Sequence, residues 1–306
     1  MIIYFYSGGN DMNKKWLLIL LSLIVTAAIV LFVLILKYLS DRSQNDSDSD
    51  SIQKRQLRVD FIDVGKGDCI LIRSENHTVM IDTGYKETDD DVFDFLDSSG
   101  VSEIDALILT HYDKDHIGGA KEVLSRYQVD KIYVPDYDND SGKYRKLIKT
   151  IDKNDIPVDF VSEKITFTAD NAVFTIMPSG VTYDAKKEND NDMSLLVSVI
   201  YSKDSYLFTG DIEKPAIERF LNRNDRTYDV IKMPHHGRTE KNTKALLDSV
   251  KPTYAVITDD KENPADSELC GLLKSAGIEY YRTGEVGCVS ITGNGSGIYK
   301  TETQKP

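Results

Sequence analysis

The sequence predicts an α/β fold in which two sheets pack face to face with helices on their outer sides. Three observations predict it. Short alternating or apolar runs open the region after residue 57. Strands then alternate with helical segments, and this order recurs in both halves of the chain. Ahead of them lies a separate apolar run, which adds an N-terminal transmembrane helix.

That run, "WLLILLSLIVTAAIVLFVLILKY" over residues 16–38, follows a short tail at 1–15. It holds about twenty consecutive residues without a charge, the length that spans a bilayer core. The stretch "LILKYLSDR" lacks a small-x-small cleavage site, so the run reads as an uncleaved anchor rather than a signal peptide. Lys14 and Lys15 precede it, which places the rest of the chain outside a single-pass cell-membrane protein. Residues 39–56 are Ser/Asp-rich and aperiodic, a flexible linker. The folded domain is expected over 57–300, with a tail at 301–306.

Within the domain, "LRVDFIDV", "DCILIRS" and "HTVMIDTG" read as successive strands. "DDDVFDFLDSSG" is a helix with acidic residues in its first turn and Gly100 at its end. "IDALILT" is a buried strand and "GGAKEVLSRY" a helix. Strands "KIYVP", "VDFVS", "KITF" and "AVFTIMP" follow, with helix "YRKLIKTID" between the first two. "SLLVSVIYSKDSYLFTGD" is a hairpin turning near Lys203 and Asp204. Helix "KPAIERFLN", strand "DVIKMP", helix "KNTKALLDSV", strand "TYAVIT", helix "ADSELCGLLKSAG" and two closing strands complete the pattern.

A formal charge of -13 argues against bulk attraction to nucleic acid or to an anionic membrane surface. No aromatic-and-basic groove is visible, so a polyanionic substrate would need local cations. The three cysteines, Cys69, Cys270 and Cys288, are widely spaced and form neither a disulfide framework nor a zinc knuckle.

The chemistry concentrates in "LTHYDKDHIGG", residues 109–119, where His111, Asp113, Asp115 and His116 follow a buried strand and precede a helix. Imidazole and carboxylate on a tight loop suit zinc, manganese or iron. "YLFTGDIE" places Asp211 where a carboxylate could bridge two metals, and "VIKMPHHG" ends another strand in His235 and His236. Four of the five histidines thus sit just past apolar strands, whose loops gather at one rim of a sandwich. Two metals there would activate water and stabilise charge on a phosphoryl or acyl oxygen. The fifth histidine, His77, lies in the polar turn "SENHT" and reads as solvated.

"DVGKGDCILIRS", "MIDTG", "LTHYDKDHIGG", "NDMSLLVSV", "LFTGDIE" and "KMPHHG" occur in that order, within a stretch of about residues 57–292. Together they resemble the metallo-β-lactamase-fold hydrolases, in particular the soluble hydrolase domain of ComEC DNA-uptake proteins. A second similarity is to phosphorylcholine esterases acting on teichoic acid. The resemblance implies an αββα four-layer sandwich and two divalent metal ions, Zn2+ or Mn2+. His111 and Asp113 would hold the first metal, with Asp113 where many relatives have a second histidine. Asp115 and His116 would hold the second, and Asp211 would bridge them. One of His235 and His236 would be a ligand or a proton donor, and these two with Asp115 form the catalytic set. Asp82 would orient a ligating histidine. Asn191 and Ser194 match an Asn-x-x-Ser segment near the place of a third histidine in classical members.

This chain has no histidine there, and "DKENPADSELC" lacks the histidine of a His-Pro pair usual near the last helix. Asp259, Asp260 or Asp266 would substitute, or the site would do without. The implied function is a membrane-anchored two-metal phosphodiesterase or nuclease acting on extracellular DNA. Alternatives are cell-wall or lipid phosphodiesters as substrate, or a non-catalytic scaffold of the uptake or envelope machinery. Expected partners are the membrane through residues 16–38, a nucleic acid or phosphodiester polymer, and an uptake-machinery protein.

Overall fold

The computed structural model describes residues 56–184 and 189–304, together with residues 16, 19–21, 23 and 31–38. The chain divides into two units, Met1–Lys54 and Arg55–Pro306. In the first, the described residues are helical and large apolar side chains such as Leu31, Phe32 and Leu34 are exposed. Among the described residues no helix is long and apolar enough to cross a membrane. The anchor predicted over 16–38 falls partly outside the described residues, as do the 1–15 tail and nearly all of the 39–56 linker.

In the second unit one sheet is built from β1 (Leu57–Phe61), β2 (Ile70–Arg73), β3 (Thr78–Ile81), β4 (Ala106–Ile108), β5 (Ile132–Pro135) and β6 (Val158–Val161). The chain then crosses to a second sheet of β7 (Ile165–Ala169), β8 (Ala172–Met177), β9 (Leu196–Tyr201), β10 (Asp204–Phe208), β11 (Val230–Lys232), β12 (Tyr254–Ile257) and β13 (Glu279–Arg282). It returns to the first sheet with β14 (Cys288–Gly293) and β15 (Ile298–Gln304). The spatial orders are β15-β14-β1-β2-β3-β4-β5-β6 and β13-β12-β11-β10-β9-β8-β7.

Side-chain period explains the layering. Strand β8 alternates buried and less buried residues, while β4 and β11 are buried throughout, as central strands covered on both faces must be. One apolar cluster, including Phe61, Ile81, Phe174, Val199 and Phe208, draws on both sheets and fills the space between them. Outside the first sheet pack α1 (Asp89–Ser98), α3 (Ala120–Arg126) and α4 (Gly142–Asn154), with the one-turn α2 (Lys114–Ile117) ahead of α3. Outside the second pack α5 (Lys214–Leu221), α6 (Thr243–Val250) and α7 (Ser267–Ser275). The result is the expected helix–sheet–sheet–helix sandwich.

Two expectations at the C-terminal end need correction. Three strands, not two, follow the last long helix, because "EYYR" adds β13 in parallel to β12. The segment expected as a tail from residue 301 is strand through Gln304, with Thr301 opposite Ile291 and Gln304 opposite Cys288. Its charged residues look tail-like, but β15 is an edge strand, where one face meets water.

Strand direction places the site. Strands β3 and β4 run parallel, as do β10, β11 and β12. The carboxyl ends of such strands are where an open α/β sheet exposes its loops to ligands. Here they deliver Asp82, Thr110–His111, Asp211, His235–His236 and Thr258.

Candidate metal centre

Asp115, His116, Asp211 and His236 each offer a ligand atom, and those atoms all lie within 4.8 Å of one another. Asp115 and His116 come from α2 after β4, Asp211 from the end of β10, and His236 from the end of β11. The Nε2 atoms of His116 and His236 lie 3.2 Å and 3.0 Å from Asp211 Oδ2, and His236 Nε2 lies 3.4 Å from Asp115 Oδ2. Both Nε2 atoms are buried and make no hydrogen bond. Two buried imidazole nitrogens without hydrogen bonds, converging with two carboxylates, are a donor set that a divalent cation fits.

The far nitrogens are held. Asp82 Oδ2 lies 2.7 Å from His116 Nδ1, so that nitrogen donates to the carboxylate and leaves Nε2 as the atom that would give its lone pair to a cation in the cluster. Asp82 is itself fixed by the Thr110 amide and hydroxyl, each at 2.7 Å. His236 Nδ1 lies 3.0 Å from the Thr258 carbonyl, which fixes the same tautomer. The backbone is strained to achieve this: Asp82, His235 and His236 have φ of 56°, 46° and 52°, in the left-handed region. Gly237 follows at φ 86°, and a Cβ there would meet Ala265 Cβ at 2.6 Å, so the turn after the two histidines requires glycine.

Behind the cluster lies Lys232, the last residue of β11, with a side chain 0% exposed. Its Nζ contacts Asp68 Oδ2 at 2.6 Å, the Gly210 carbonyl at 3.0 Å and Asp211 Oδ1 at 3.3 Å. Asp211 therefore shows one oxygen to the histidines and the other to an ammonium. Asp68, Asp82 and His116 form a second close acidic group, but Lys232 already supplies its cation. Thr258 completes the support by donating to Asp68 Oδ1 at 2.6 Å. Sequence reasoning missed both Asp68 and Lys232. A lysine inside the apolar strand "DVIKMP" was the available signal, since a buried ammonium requires paired carboxylates.

Burial disfavours ionisation of Asp211 and Asp115, yet the neighbouring cationic groups hold both carboxyls well below the usual range. Burial likewise disfavours protonated His116 and His236, but the carboxylates around them together outweigh it, Asp211 with Asp82 for His116 and Asp211 with Asp115 for His236, and raise both, strongly for His116. Lys232 follows the same logic: burial lowers it, and Asp68 and Asp211 raise it further.

The remaining predicted residues are placed differently. His111 packs against His116 with ring centroids 4.1 Å apart and the rings tilted by 53°, and its Nδ1 lies 3.1 Å from Thr110 Oγ1 and 3.2 Å from Ser194 Oγ. Its Nε2 is buried without a hydrogen bond, 3.7 Å from Asp113 Oδ2, and Asp113 is half exposed. Among the described residues no third His, Cys, Asp or Glu groups with this pair. Ser194 also accepts from the Asp211 amide at 3.0 Å, joining the two donor loops. Asn191 donates to Glu213 Oε1 at 3.2 Å, and His235 Nδ1 lies 3.2 Å from the same oxygen. The sequence left His235 and His236 undivided; the fold puts His236 in the cluster and His235 beside it against Glu213.

None of the three aspartates considered as replacements joins the cluster. Asp259 is clamped by Arg282 at 2.6 Å and 2.7 Å, Asp260 accepts from the Lys66 amide, and Asp266 accepts from the Thr239 amide. His77 is not simply solvated: its Nδ1 pairs with Asp170 at 3.2 Å.

Residues 62–257 match the family model described as the metallo-beta-lactamase superfamily. The chain is 26% identical over 254 residues to ComE operon protein 3 of Bacillus subtilis, covering 76% of this chain and 32% of that protein. It is 28% identical over 218 residues to Recombination protein 2 of Haemophilus influenzae, covering 70% of this chain and 25% of that protein. The chain thus matches only a quarter to a third of the length of these relatives. Among solved structures it resembles a CmlA beta-hydroxylase variant with a TM-score of 0.51 at 14% identity, covering 76% of this chain and 53% of that one, a likeness of fold alone.

Proposed function

The chain belongs to the metallo-β-lactamase superfamily, and from that premise we propose that it is a metal-dependent phosphodiesterase acting on nucleic acid, tethered to a membrane through residues 16–38. The observation that carries the hydrolytic reading is the convergence of Asp115, His116, Asp211 and His236, with the two histidine Nε2 atoms buried and free of hydrogen bonds. The names of the relatives, a ComE operon protein and a recombination protein, support DNA as the substrate.

Asp115, His116, Asp211 and His236 would hold one divalent cation, and His111 with Asp113 would hold a second more weakly, having only two donors. A cation so held lowers the pKa of water and polarises a phosphoryl oxygen. The two-aspartate, two-histidine set suits Mn2+ as well as Zn2+. The chain's own residues do the rest. Asp82 and the Thr258 carbonyl keep the histidine lone pairs aimed at the cluster. Lys232 fixes Asp211 through its other oxygen, so that the carboxylate does not swing between partners. His235, 3.2 Å from Glu213 and beside the cluster, would give a proton to the leaving oxygen.

The test is direct. The protein with Mn2+ or Zn2+ is expected to cleave bis-p-nitrophenyl phosphate and labelled single-stranded DNA, and His116→Ala is expected to abolish both. Bound metal with no turnover would leave a scaffold instead. Cleavage of a wall-polymer phosphodiester but not DNA would reassign the substrate. The tether is tested by fractionating cells that express the chain with and without residues 16–38.

A further inference from the structure

Seven lysines and only two glutamates line a cleft between α4 and the α2–α3 segment. On one wall α4 presents Lys143, Lys146, Lys149 and Lys153, a spacing that puts them on one face of the helix. On the other stand Lys114 and Lys121. Among the described residues Lys121 and Lys86 pair with Glu122, whereas Lys114 and the four lysines of α4 form no ion pair. In a chain of net charge -13, unpaired ammoniums gathered along one cleft repel one another and favour a bound anion.

We propose that this cleft is a docking track for single-stranded nucleic acid that leads to the metal cluster. The choice of nucleic acid rests on the nuclease reading above; the track itself rests on the lysines. Three features fix the partner. The α4 lysines span ten residues, about 15 Å of helix, a run along which the ammoniums can meet successive phosphates of one strand. The cleft is walled by lysines on both sides, α4 on one and Lys114 and Lys121 on the other, so it presents ammoniums to both flanks of one strand, while Ile117 and Leu147 at its floor are buried. The cleft also adjoins the site, because Lys114 lies between Asp113 and Asp115 in sequence and Ile117 follows His116. The sequence hid this groove because its lysines come from separate segments of an acidic chain.

The experiment is binding of a fluorescein-labelled 20-nucleotide single strand to the full chain in EDTA, where cation-dependent cleavage is silent, read by anisotropy from 50 to 300 mM salt. The wild type is expected to bind with a log–log salt slope of about -3. Lys146→Glu, Lys149→Glu and Lys153→Glu together are expected to weaken binding at least ~10-fold at low salt and to flatten the slope by about 2. Lys274→Glu, on α7, is expected to change neither. All four side chains are exposed, so folding is not at stake. Unchanged binding by the triple variant, or none by the wild type, would overturn the track. Equal competition by duplex DNA or by polyglutamate would overturn the single-strand assignment. Hydrolysis of bis-p-nitrophenyl phosphate by the triple variant separates the two readings: retained hydrolysis without wild-type DNA binding sinks only the track, and DNA binding without hydrolysis sinks only the hydrolase.

Discussion

Replacing Lys232 by methionine keeps an unbranched side chain, one atom shorter, and removes the ammonium. In the folded protein that leaves the Asp68 and Asp211 carboxylates, now 2.6 Å and 3.3 Å from the ammonium, buried without their shared counter-ion. Breaking a buried ion pair by deleting one partner costs about 3–5 kcal/mol. For a domain of this size each kcal/mol moves Tm by about 2–4 °C, so the metal-free K232M protein is expected to melt roughly 6–20 °C lower. The penalty should hold steady with pH across the neutral range. The raised pKa of Lys232 gives stability that is present below its ordinary 10.5 and lost only as pH rises through the higher folded value. The depressed pKa of Asp211 gives stability that is present above its ordinary 3.8 and lost only as pH falls through the lower folded value. Thermal and urea unfolding from roughly pH 5 to 9, in EDTA, measures this. The double variant K232M/D68N removes one of the stranded charges and should recover at least ~1 kcal/mol. Added Mn2+ should raise Tm more in K232M than in the wild type, because the cation then meets carboxylates that lack an ammonium. A K232M protein within ~1 kcal/mol of wild type, or one that D68N further destabilises without coupling, would refute a charged lysine locked between these two carboxylates.

Three further outcomes follow from the same geometry. His236→Gln should lose bound cation and activity together, whereas His235→Gln should keep its cation and lose about 10²–10⁴-fold in kcat; metal analysis beside steady-state kinetics separates them. Asp82→Asn should weaken cation affinity about 10–100-fold with little change in far-UV circular dichroism, because one amide oxygen cannot replace the two carboxylate oxygens that accept from Thr110 and His116 together. His116 and His236 are raised above the ordinary imidazole value by the carboxylates around them, so in the metal-free protein each keeps its second proton to higher pH than a free imidazole. Cation binding should therefore release protons and tighten as pH rises, which calorimetry in buffers of different ionisation enthalpy would detect.

The sequence revealed the layers and the loops better than the details of the centre. Alternating and apolar runs placed the main strands because a two-sided sheet stamps its period on the chain, as in "AVFTIMP". It failed for β15, where an edge strand with one wet face carries charges that resemble a tail. At the site, His111, Asp115, His116 and Asp211 stand out in the sequence because histidine and aspartate past buried strands have few other reasons to be there. Asp68 was passed over because one aspartate in a glycine turn is ordinary, and only the fold brings it within 2.6 Å of Lys232. The division between His235 and His236 was invisible because it depends on two successive left-handed residues, which aim adjacent side chains in different directions.

The donors of the cluster do not belong to one layer. Asp115 and His116 hang from the first sheet, Asp211 and His236 from the second, and an apolar filling separates the two layers everywhere inward of that rim. A cation held by all four would work as a rivet at the open edge of two plates. Stripping it with a chelator should let that edge breathe first, with amide deuterium uptake rising in the loops after β4, β10 and β11 while the central strands stay closed. Catalytic competence and mechanical closure of the sandwich would then be two readings of a single occupancy.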